Sequence, residues 1–165
     1  MRRIINTPLL RFANFTGNWA LTNVGELGKV IGGGTPSSKN QDYWDGDIPW
    51  ISSSDLTTEN IYEIKITRLI TKDAISNSAT KLIPEKSILI VSRVGVGKVA
   101  VNEQIICTSQ DFSSIIPLKD DYVFLAYLIK IKTNKLLEFN QGTSIKGFVK
   151  SDLESLEISI PSFAD

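Results

Sequence analysis

The sequence contains no histidine and only one cysteine among its 165 residues. Without histidine, the usual general base and the Ser-His and Cys-His nucleophile pairs are excluded. One cysteine cannot supply the four nitrogen or sulfur ligands of a structural zinc site. The single thiol, Cys107, also excludes a disulfide within the chain, which agrees with a reducing cytoplasm. Any catalysis would therefore depend on carboxylates, lysines or a hard metal ion.

Long apolar segments are also lacking. The longest runs are ILIV at 88–91 and the interrupted YVFLAYLIKI at 122–131, well short of the ~20 residues that a membrane-spanning helix needs. The stretch MRRIINTPLLRFANF at the N-terminus has no sustained apolar core and no cleavage site, so it does not resemble a signal peptide. With 42% hydrophobic residues, the chain has a globular composition. We expect one domain over residues 1–165, located in the cytoplasm without membrane contact.

The net charge is zero, because 18 basic residues balance 18 acidic ones, but the charges are segregated along the chain. Residues 40–64 carry six acidic and no basic residues. Residues 65–98 carry seven basic against two acidic residues, a net of +5, and residues 128–150 carry five against one, a net of +4. Segregation can give a neutral protein a positive face, to which phosphates respond. A salt-bridged surface with no partner is the alternative.

Two glycine-lysine segments resemble phosphate-binding loops but fail on spacing. Such a loop requires G-x-x-x-x-G-K-[ST]. Before Lys39, Ser38 stands where the second glycine belongs, and Asn40 stands where the hydroxyl belongs. Lys98 is followed by Val99, so the second segment fails as well. The six prolines are never adjacent, which excludes the D/N-P-P-aromatic tetrapeptide of amino methyltransferases.

A metal-dependent nuclease is the enzymatic alternative. Asp55, Glu63 and Lys65 fit the loose D…E-x-K pattern, in which two carboxylates hold magnesium and a lysine assists the attacking water. If residues 61–69 form a strand, Glu63 and Lys65 share one face of it, as this chemistry requires. The pattern also arises by chance in many chains, and an exposed ion pair is the simpler explanation.

Short, often β-branched apolar runs separated by glycine and polar breaks predict many strands and few helices. Strands are predicted at 24–31, 49–52, 61–69, 87–92, 98–101, 105–108, 113–117 and 156–160. The tripeptide GVG at 95–97 predicts a hairpin. Because there is no regular β-α-β rhythm, the predicted fold class is α+β, a single globular domain with a twisted mixed or antiparallel sheet.

Three helices are predicted from their capping residues. The longest spans about 122–139 and is capped by Asp120 or Asp121. A short helix follows Thr71 as N-cap, and another opens at the capping box Ser151-Asp-Leu-Glu. Residues 140–147 are predicted to form a loop bounded by glycine.

Several motifs resemble, in the same order, those of one family. They are PLLRFANFTGNW at 8–19, GELGKVIGGGTPSSKNQDYWDGDIPWISSSDL at 25–56, TKLIPEKSILIVSRVGVGKVAV at 80–101, CTSQDFSSIIP at 107–117 and QGTSIKGFVKSDLESLEISIPS at 141–162. The chain is similar over about 8–162 to a target recognition domain of the specificity subunits of type I restriction-modification enzymes.

The resemblance implies a noncatalytic DNA reader. In that family, two such domains read a split target, each contacting a half-site of about three to five base pairs by direct and shape readout. Long helices after each domain pair into a spacer and dock the modification subunits, which use S-adenosylmethionine. A separate translocating restriction subunit cuts DNA. No cofactor is expected in this chain, since S-adenosylmethionine, ATP and Mg would belong to the partner subunits.

Double-stranded DNA, the methyltransferase subunit, the restriction subunit and a second specificity half-subunit are the partners this resemblance implies. The sequence departs from the family pattern at Ser162–Asp165, where a long charged helix normally follows I-P-S. We therefore expect a single recognition domain without a spacer helix and without a second recognition domain.

The candidate DNA-contact residues lie at or just beyond the ends of predicted strands and helices. Arg93 is expected to contact guanine or a phosphate, and Gln110 to read adenine through two hydrogen bonds. The remaining candidates, mainly for phosphate contacts, are Thr35, Ser52, Ser53, Ser54, Ser92, Lys98, Ser109, Thr143, Ser144 and Lys146. An ion pair at Arg93 and hydrogen bonds that stabilise turns at the polar residues are the alternatives. Tyr43, Trp44 and Trp50 are expected to pack, and Cys107 to be buried and inert.

Overall fold

The computed structural model describes residues 17–119, 121–139 and 147–161, which form an α+β fold. Its strands are β1 (Ala20–Asn23), β2 (Gly28–Gly32), β3 (Ile48–Ile51), β4 (Arg68–Ile70), β5 (Ile88–Val91), β6 (Val99–Val101), β7 (Cys107–Thr108), β8 (Phe112–Pro117) and β9 (Glu157–Ile160). Its α-helices are α1 (Val24–Leu27), α2 (Lys72–Ser76), α3 (Tyr122–Phe139) and α4 (Lys150–Glu154). Two 3₁₀ turns span Gln41–Trp44 and Ser53–Asp55.

The strands are distributed over three small sheets. The largest is antiparallel with the order β2-β8-β5-β6, the second has the order β4-β3-β7, and the third pairs β1 with β9. In the second sheet β3 and β7 are parallel, with Trp50 opposite Cys107 and Ile51 opposite Thr108. The α+β class and the mixed and antiparallel strand pairing that the sequence predicts are confirmed.

Strand β5 contributes to two hydrophobic cores. Ile88 and Ile90 face the core that α3 covers with Leu125 and Ile129. The alternate residues of the strand, Leu89 and Val91, face a second core on the other side of the sheet. A strand buried on both faces is apolar throughout instead of alternating, which explains the uninterrupted ILIV run.

The helix predictions are largely confirmed. Helix α3 begins at Tyr122, and the Asp121 carboxylate accepts a hydrogen bond from the Phe124 amide at 2.7 Å. Helix α2 follows Thr71, whose hydroxyl accepts from the Ala74 amide at 3.2 Å. Both contacts satisfy backbone donors that a helix leaves free in its first turn.

The strands predicted at 49–52, 87–92, 98–101, 105–108, 113–117 and 156–160 are found, with ends shifted by one or two residues. The GVG hairpin between β5 and β6 is also confirmed. Gly95 and Gly97 have φ of 85° and 97°, a region that only glycine adopts readily. Residues 140–146 of the loop predicted at 140–147 lie outside the described residues.

Two strand predictions and one capping prediction are wrong. Residues 24–27 form a helical turn, in which Val24 and Leu27 are buried on one side, so the strand begins only at Gly28. The predicted strand at 61–69 is reduced to β4. The Asn60 side chain accepts from the Tyr62 amide and turns the chain at the start of this segment, and Ile64 forms only an isolated bridge with Leu56. The N-cap of α4 is Val149, whose amide donates to the Asp152 carboxylate at 2.9 Å, and not Ser151.

The tryptophans pack as expected. Trp50 is buried, its ring meets that of Trp44 edge to face at 5.1 Å, and Tyr43 is half-buried beside them. Among the residues described, no helix combines the length and apolar character that crossing a membrane demands.

Candidate nucleic-acid interface

Several strands end at the same side of the molecule. The parallel strands β3 and β7 end there at Ile51 and Thr108. Strand β8 begins close by at Phe112, which pairs with Val91 at the end of β5. The loops that leave these strands therefore meet, and they carry most of the described candidate residues. We name this group the polar edge: Thr35, Ser52, Ser53, Ser54, Arg93, Lys98, Ser109 and Gln110.

Backbone hydrogen bonds tie the loops of the polar edge together. The Ser109 amide donates to the Ile51 carbonyl at 2.9 Å, and the Gly34 amide donates to the Thr108 carbonyl at 2.8 Å. The Ser92 amide donates to the Asp111 carbonyl at 2.8 Å. These bonds join segments that are between 19 and 74 residues apart in the chain into one continuous surface.

Thr35 and Gln110 form a pair on this surface. Both are exposed, and the Thr35 hydroxyl donates a hydrogen bond to the Gln110 side-chain oxygen. An amide oxygen has two lone pairs, so it can accept a second bond while the NH₂ group remains a donor. The exposed Gln110 amide thus keeps one acceptor site on its oxygen and the donors of its NH₂ group for a ligand.

The serine turn, Ser52–Asp55, is the most heavily bonded element of the polar edge. The buried Asp55 carboxylate accepts from the Ser52 amide at 2.7 Å and from the Ser52 hydroxyl at 3.0 Å. Arg68 forms an ion pair with the same carboxylate. Lys98 reaches the turn from the β5–β6 hairpin, where its ammonium donates to the Ser53 carbonyl at 2.9 Å. Lys98 is thus engaged within the protein.

Arg93 protrudes from the β5–β6 hairpin. It is exposed, and within the described residues its guanidinium has no hydrogen bond or ion pair. Next to it, Val94 is 73% exposed. The ion pair considered as an alternative for Arg93 is therefore not formed by any described residue.

Two predicted contact residues are buried and serve the turns. Ser92 is 3% exposed, and its hydroxyl donates to the Asp111 carbonyl and accepts from the Ser113 hydroxyl. Ser109 is 2% exposed and its hydroxyl lies 3.3 Å from the Asp111 carboxylate. These two hydroxyls therefore form the hydrogen bonds within turns that were considered as the alternative to DNA contact. Three further candidates, Thr143, Ser144 and Lys146, lie outside the described residues.

The nuclease alternative is not supported. The Asp55 carboxylate is occupied by Arg68 and Ser52, and Glu63 accepts a hydrogen bond from Thr57. Glu63 and Lys65 lie outside any strand, so the predicted strand face that they would share does not exist. Across residues 17–119, 121–139 and 147–161, no three acidic or cysteine side chains cluster in a way that could hold a metal ion.

Cys107 is buried, as predicted. Burial raises the pKa of its thiol to about 11, although the nearby Thr80 hydroxyl acts in the opposite direction. The thiol therefore stays protonated at neutral pH and is a poor nucleophile.

Arg68 is the residue that the sequence did not reveal. Its partners Ser52 and Asp55 lie 16 and 13 positions earlier in the chain. No local spacing rule connects residues that far apart outside a predicted hairpin. The only signal in the sequence was that the acidic residues 40–64 precede the basic residues 65–98, and this does not show that Arg68 pairs with Asp55.

Comparisons with known proteins agree with this geometry. A family profile described as "Type I restriction modification DNA specificity domain" matches residues 16–165. The MjaIX specificity subunit of Methanocaldococcus jannaschii is 38% identical over 88% of this chain and 34% of its own length. The EcoR124I/EcoR124II specificity subunit of Escherichia coli is 31% identical over 93% of this chain and 39% of its own. The chain thus spans little more than a third of these type I restriction enzyme subunits.

Solved structures show the same fold. The HsdS subunit of Thermoanaerobacter tengcongensis superimposes with a TM-score of 0.63, at 19% identity over 87% of this chain and 33% of that chain. The S subunit of a type I restriction-modification system from M. genitalium superimposes with a TM-score of 0.64, at 18% identity over 95% of this chain and 38% of that chain. By its motifs, its fold and the profile match, this chain belongs to the type I restriction modification DNA specificity domain family.

Proposed function

We propose that this chain is a noncatalytic, sequence-specific DNA-binding module that reads one half-site of a bipartite double-stranded target. The observation that carries the proposal is the convergence of exposed, hydrogen-bonding side chains on the polar edge. Arg93 and Gln110 are the residue types that read guanine and adenine in the major groove. The serine turn adds hydroxyl and backbone groups suited to phosphates.

The geometry of Thr35 and Gln110 supports direct base readout. Reading adenine requires the amide oxygen to accept from N6 while the amide nitrogen donates to N7. The hydrogen bond from Thr35 favours one orientation of the amide and still leaves both functions free. Arg93 has no described internal partner, so its five donors remain for guanine or phosphate.

The wider assignment follows from family membership. We propose that residues 1–165 act as one recognition domain that directs a modification subunit and a restriction subunit to the target, with or without a second specificity half-subunit. S-adenosylmethionine, ATP and Mg would be bound by those partners. Such a complex works on DNA, so we propose the cytoplasm as its location. The support for this wider proposal is that the relatives are named as specificity subunits of type I restriction enzymes.

Selection from a random duplex pool tests the proposal. The chain is immobilised at high density and low salt, because weak DNA contacts are strongest there, and retained duplexes are sequenced. We expect enrichment of one short motif and no DNA nicking when magnesium is added. Retention without any sequence preference, or cleavage that depends on magnesium, would contradict the proposal.

Arg93→Ala is the matching variant. We expect it to weaken binding to the selected motif and to relax the preference at one base pair or lower the salt slope by about 0.9, the share of one phosphate. Lys72→Ala removes one exposed positive charge at the start of α2. Helix α2 follows the end of β4 that is farther from the polar edge. This control should bind like the wild type. Unchanged affinity and selectivity of Arg93→Ala at matched salt would remove Arg93 from the interface.

A further inference from the structure

On one side, the serine turn is held by a single guanidinium, that of Arg68. Arg68 Nη2 contacts the Asp55 carboxylate and also donates to the Ser52 hydroxyl at 2.8 Å. The same carboxylate oxygen accepts from the Ser52 amide and hydroxyl. One buried carboxylate and one arginine thus fix both ends of a four-residue turn.

The guanidinium is itself fixed by a ring. Arg68 lies over Trp50, with 4.5 Å between the guanidinium carbon and the ring centroid. Trp50 is immobile, since it is buried and its indole donates to the Gly34 carbonyl at 3.0 Å. Arg68 and Trp50 are also directly opposite in the β3–β4 pairing. Stacking and two hydrogen bonds from one planar group are properties of arginine that lysine does not share.

The consequence for the turn is rigidity with an outward face. Lys98 holds the Ser53 carbonyl from the other side, while Ser54 remains exposed. A turn ordered before DNA arrives does not lose that conformational freedom on binding, so more of its contact energy appears as affinity.

We propose that Arg68 is a positioning residue for DNA recognition: it holds the serine turn in the shape that presents Ser53 and Ser54 to the DNA and does not itself contact DNA. This inference rests on the proposed DNA-reading function. It assigns the positive charge of Arg68, whose side chain is 37% exposed, to its ion pair with Asp55, in contrast to Arg93, which has no partner among the described residues.

Two substitutions separate positioning from direct contact. Arg68→Lys keeps the charge but loses the planar fork and the ring stacking, and Arg68→Gln loses the charge. Affinity for the selected motif, base preferences and the slope of log Kd against log salt are measured for both. Loss of one charge-assisted hydrogen bond corresponds to about a tenfold change in Kd.

A positioning role predicts that both variants bind roughly tenfold more weakly, with altered preference at a subset of base pairs. It also predicts that Arg68→Gln keeps the wild-type salt slope. If Arg68 contacts a phosphate, Arg68→Lys will bind almost like the wild type, and Arg68→Gln will lower the slope by about 0.9. That result overturns the inference.

Two measurements on each variant distinguish positioning from a merely structural effect: the midpoint of thermal unfolding and the fraction of protein that binds DNA. If the variants lose active protein while the remaining fraction keeps wild-type base preferences, Arg68 is only a stabilising residue and the inference is wrong. Arg68→Lys keeps the test decisive should Arg68→Gln fail to fold. If the wild-type chain selects no motif, the proposed function itself fails, an outcome distinct from normal selection by both variants.

Discussion

At the residue scale, the polar edge divides its side chains between those that face solvent and those that hold the loops. Arg93, Gln110 and Ser54 are exposed, whereas Ser109, and Ser92 just beside the polar edge, are buried in turn contacts. Serine therefore has two different roles here: one serine faces solvent, and others stabilise the loops. Burial decides between them, because a buried hydroxyl can form hydrogen bonds only with groups inside the protein.

Thr35→Val tests whether the Thr35 hydroxyl orients Gln110. Valine keeps the shape of threonine and removes the donor, so we expect the preference for the base that Gln110 reads to fall by about threefold to tenfold, the worth of one neutral hydrogen bond. Gln110→Ala should abolish the same preference. Ser37→Ala is the control, since that exposed hydroxyl has no hydrogen bond within the described residues. An unchanged preference in Thr35→Val beside a lost one in Gln110→Ala would refute the orienting role.

At the element scale, the glycine triplet shows how a segment reaches the polar edge. Gly32, Gly33 and Gly34 all lack positive φ, so their value lies in space for the backbone. A Cβ on Gly33 would lie 2.2 Å from the Ser109 carbonyl oxygen, and one on Gly34 would lie 2.4 Å from the backbone of Ala79. The triplet therefore passes between two other loops instead of holding a phosphate.

Alanine substitutions in the triplet should differ sharply. Gly33→Ala and Gly34→Ala would force backbone shifts, which typically cost about 1–3 kcal/mol of folding free energy. Gly32→Ala has its nearest neighbour at 4.0 Å and should be neutral or slightly stabilising, because alanine restricts the unfolded chain. Urea unfolding of the three variants measures this. Equal stabilities would mean that the close approach does not constrain the loop.

At the scale of the whole molecule, segments from the two ends of the described chain close on each other. Strand β1 pairs with β9, and the Val24 amide donates to the Leu156 carbonyl at 3.0 Å. Leu153 of α4 is buried in the same core as Val24 and α3. This closure joins residues more than 120 positions apart, so it forms only when the intervening sheets are in place.

Leu153→Ala measures the contribution of this closure. Removing a buried leucine side chain leaves a cavity and should cost about 2–5 kcal/mol of the free energy of unfolding. Leu118→Ala is the matched control, because Leu118 is 71% exposed and should change stability by less than about 0.5 kcal/mol. Denaturant unfolding would show the difference. A Leu153→Ala variant as stable as the control would mean that α4 packs too loosely to matter.

The sequence by itself determined the fold class, the long helix, the GVG hairpin and the family. The long helix and the hairpin depend on residues close together in the chain: the apolar run at 122–131, the Asp121 cap and the two glycines. Local geometry limits such segments to a few conformations, so patterns suffice. The failed strand prediction at 61–69 also has a local cause, since the Asn60 side chain turns the chain at the start of that segment.

Only the tertiary structure decided which polar residues face outwards and which hold the loops. Lys98 and Arg68 are basic residues of one segment, and both are engaged within the protein, whereas Arg93 from the same segment has no partner among the described residues. Composition treats the three alike. Their roles differ because long-range packing brings Ser53 and Asp55 to two of them, and contacts between residues far apart in the chain exist only after the sheets have assembled.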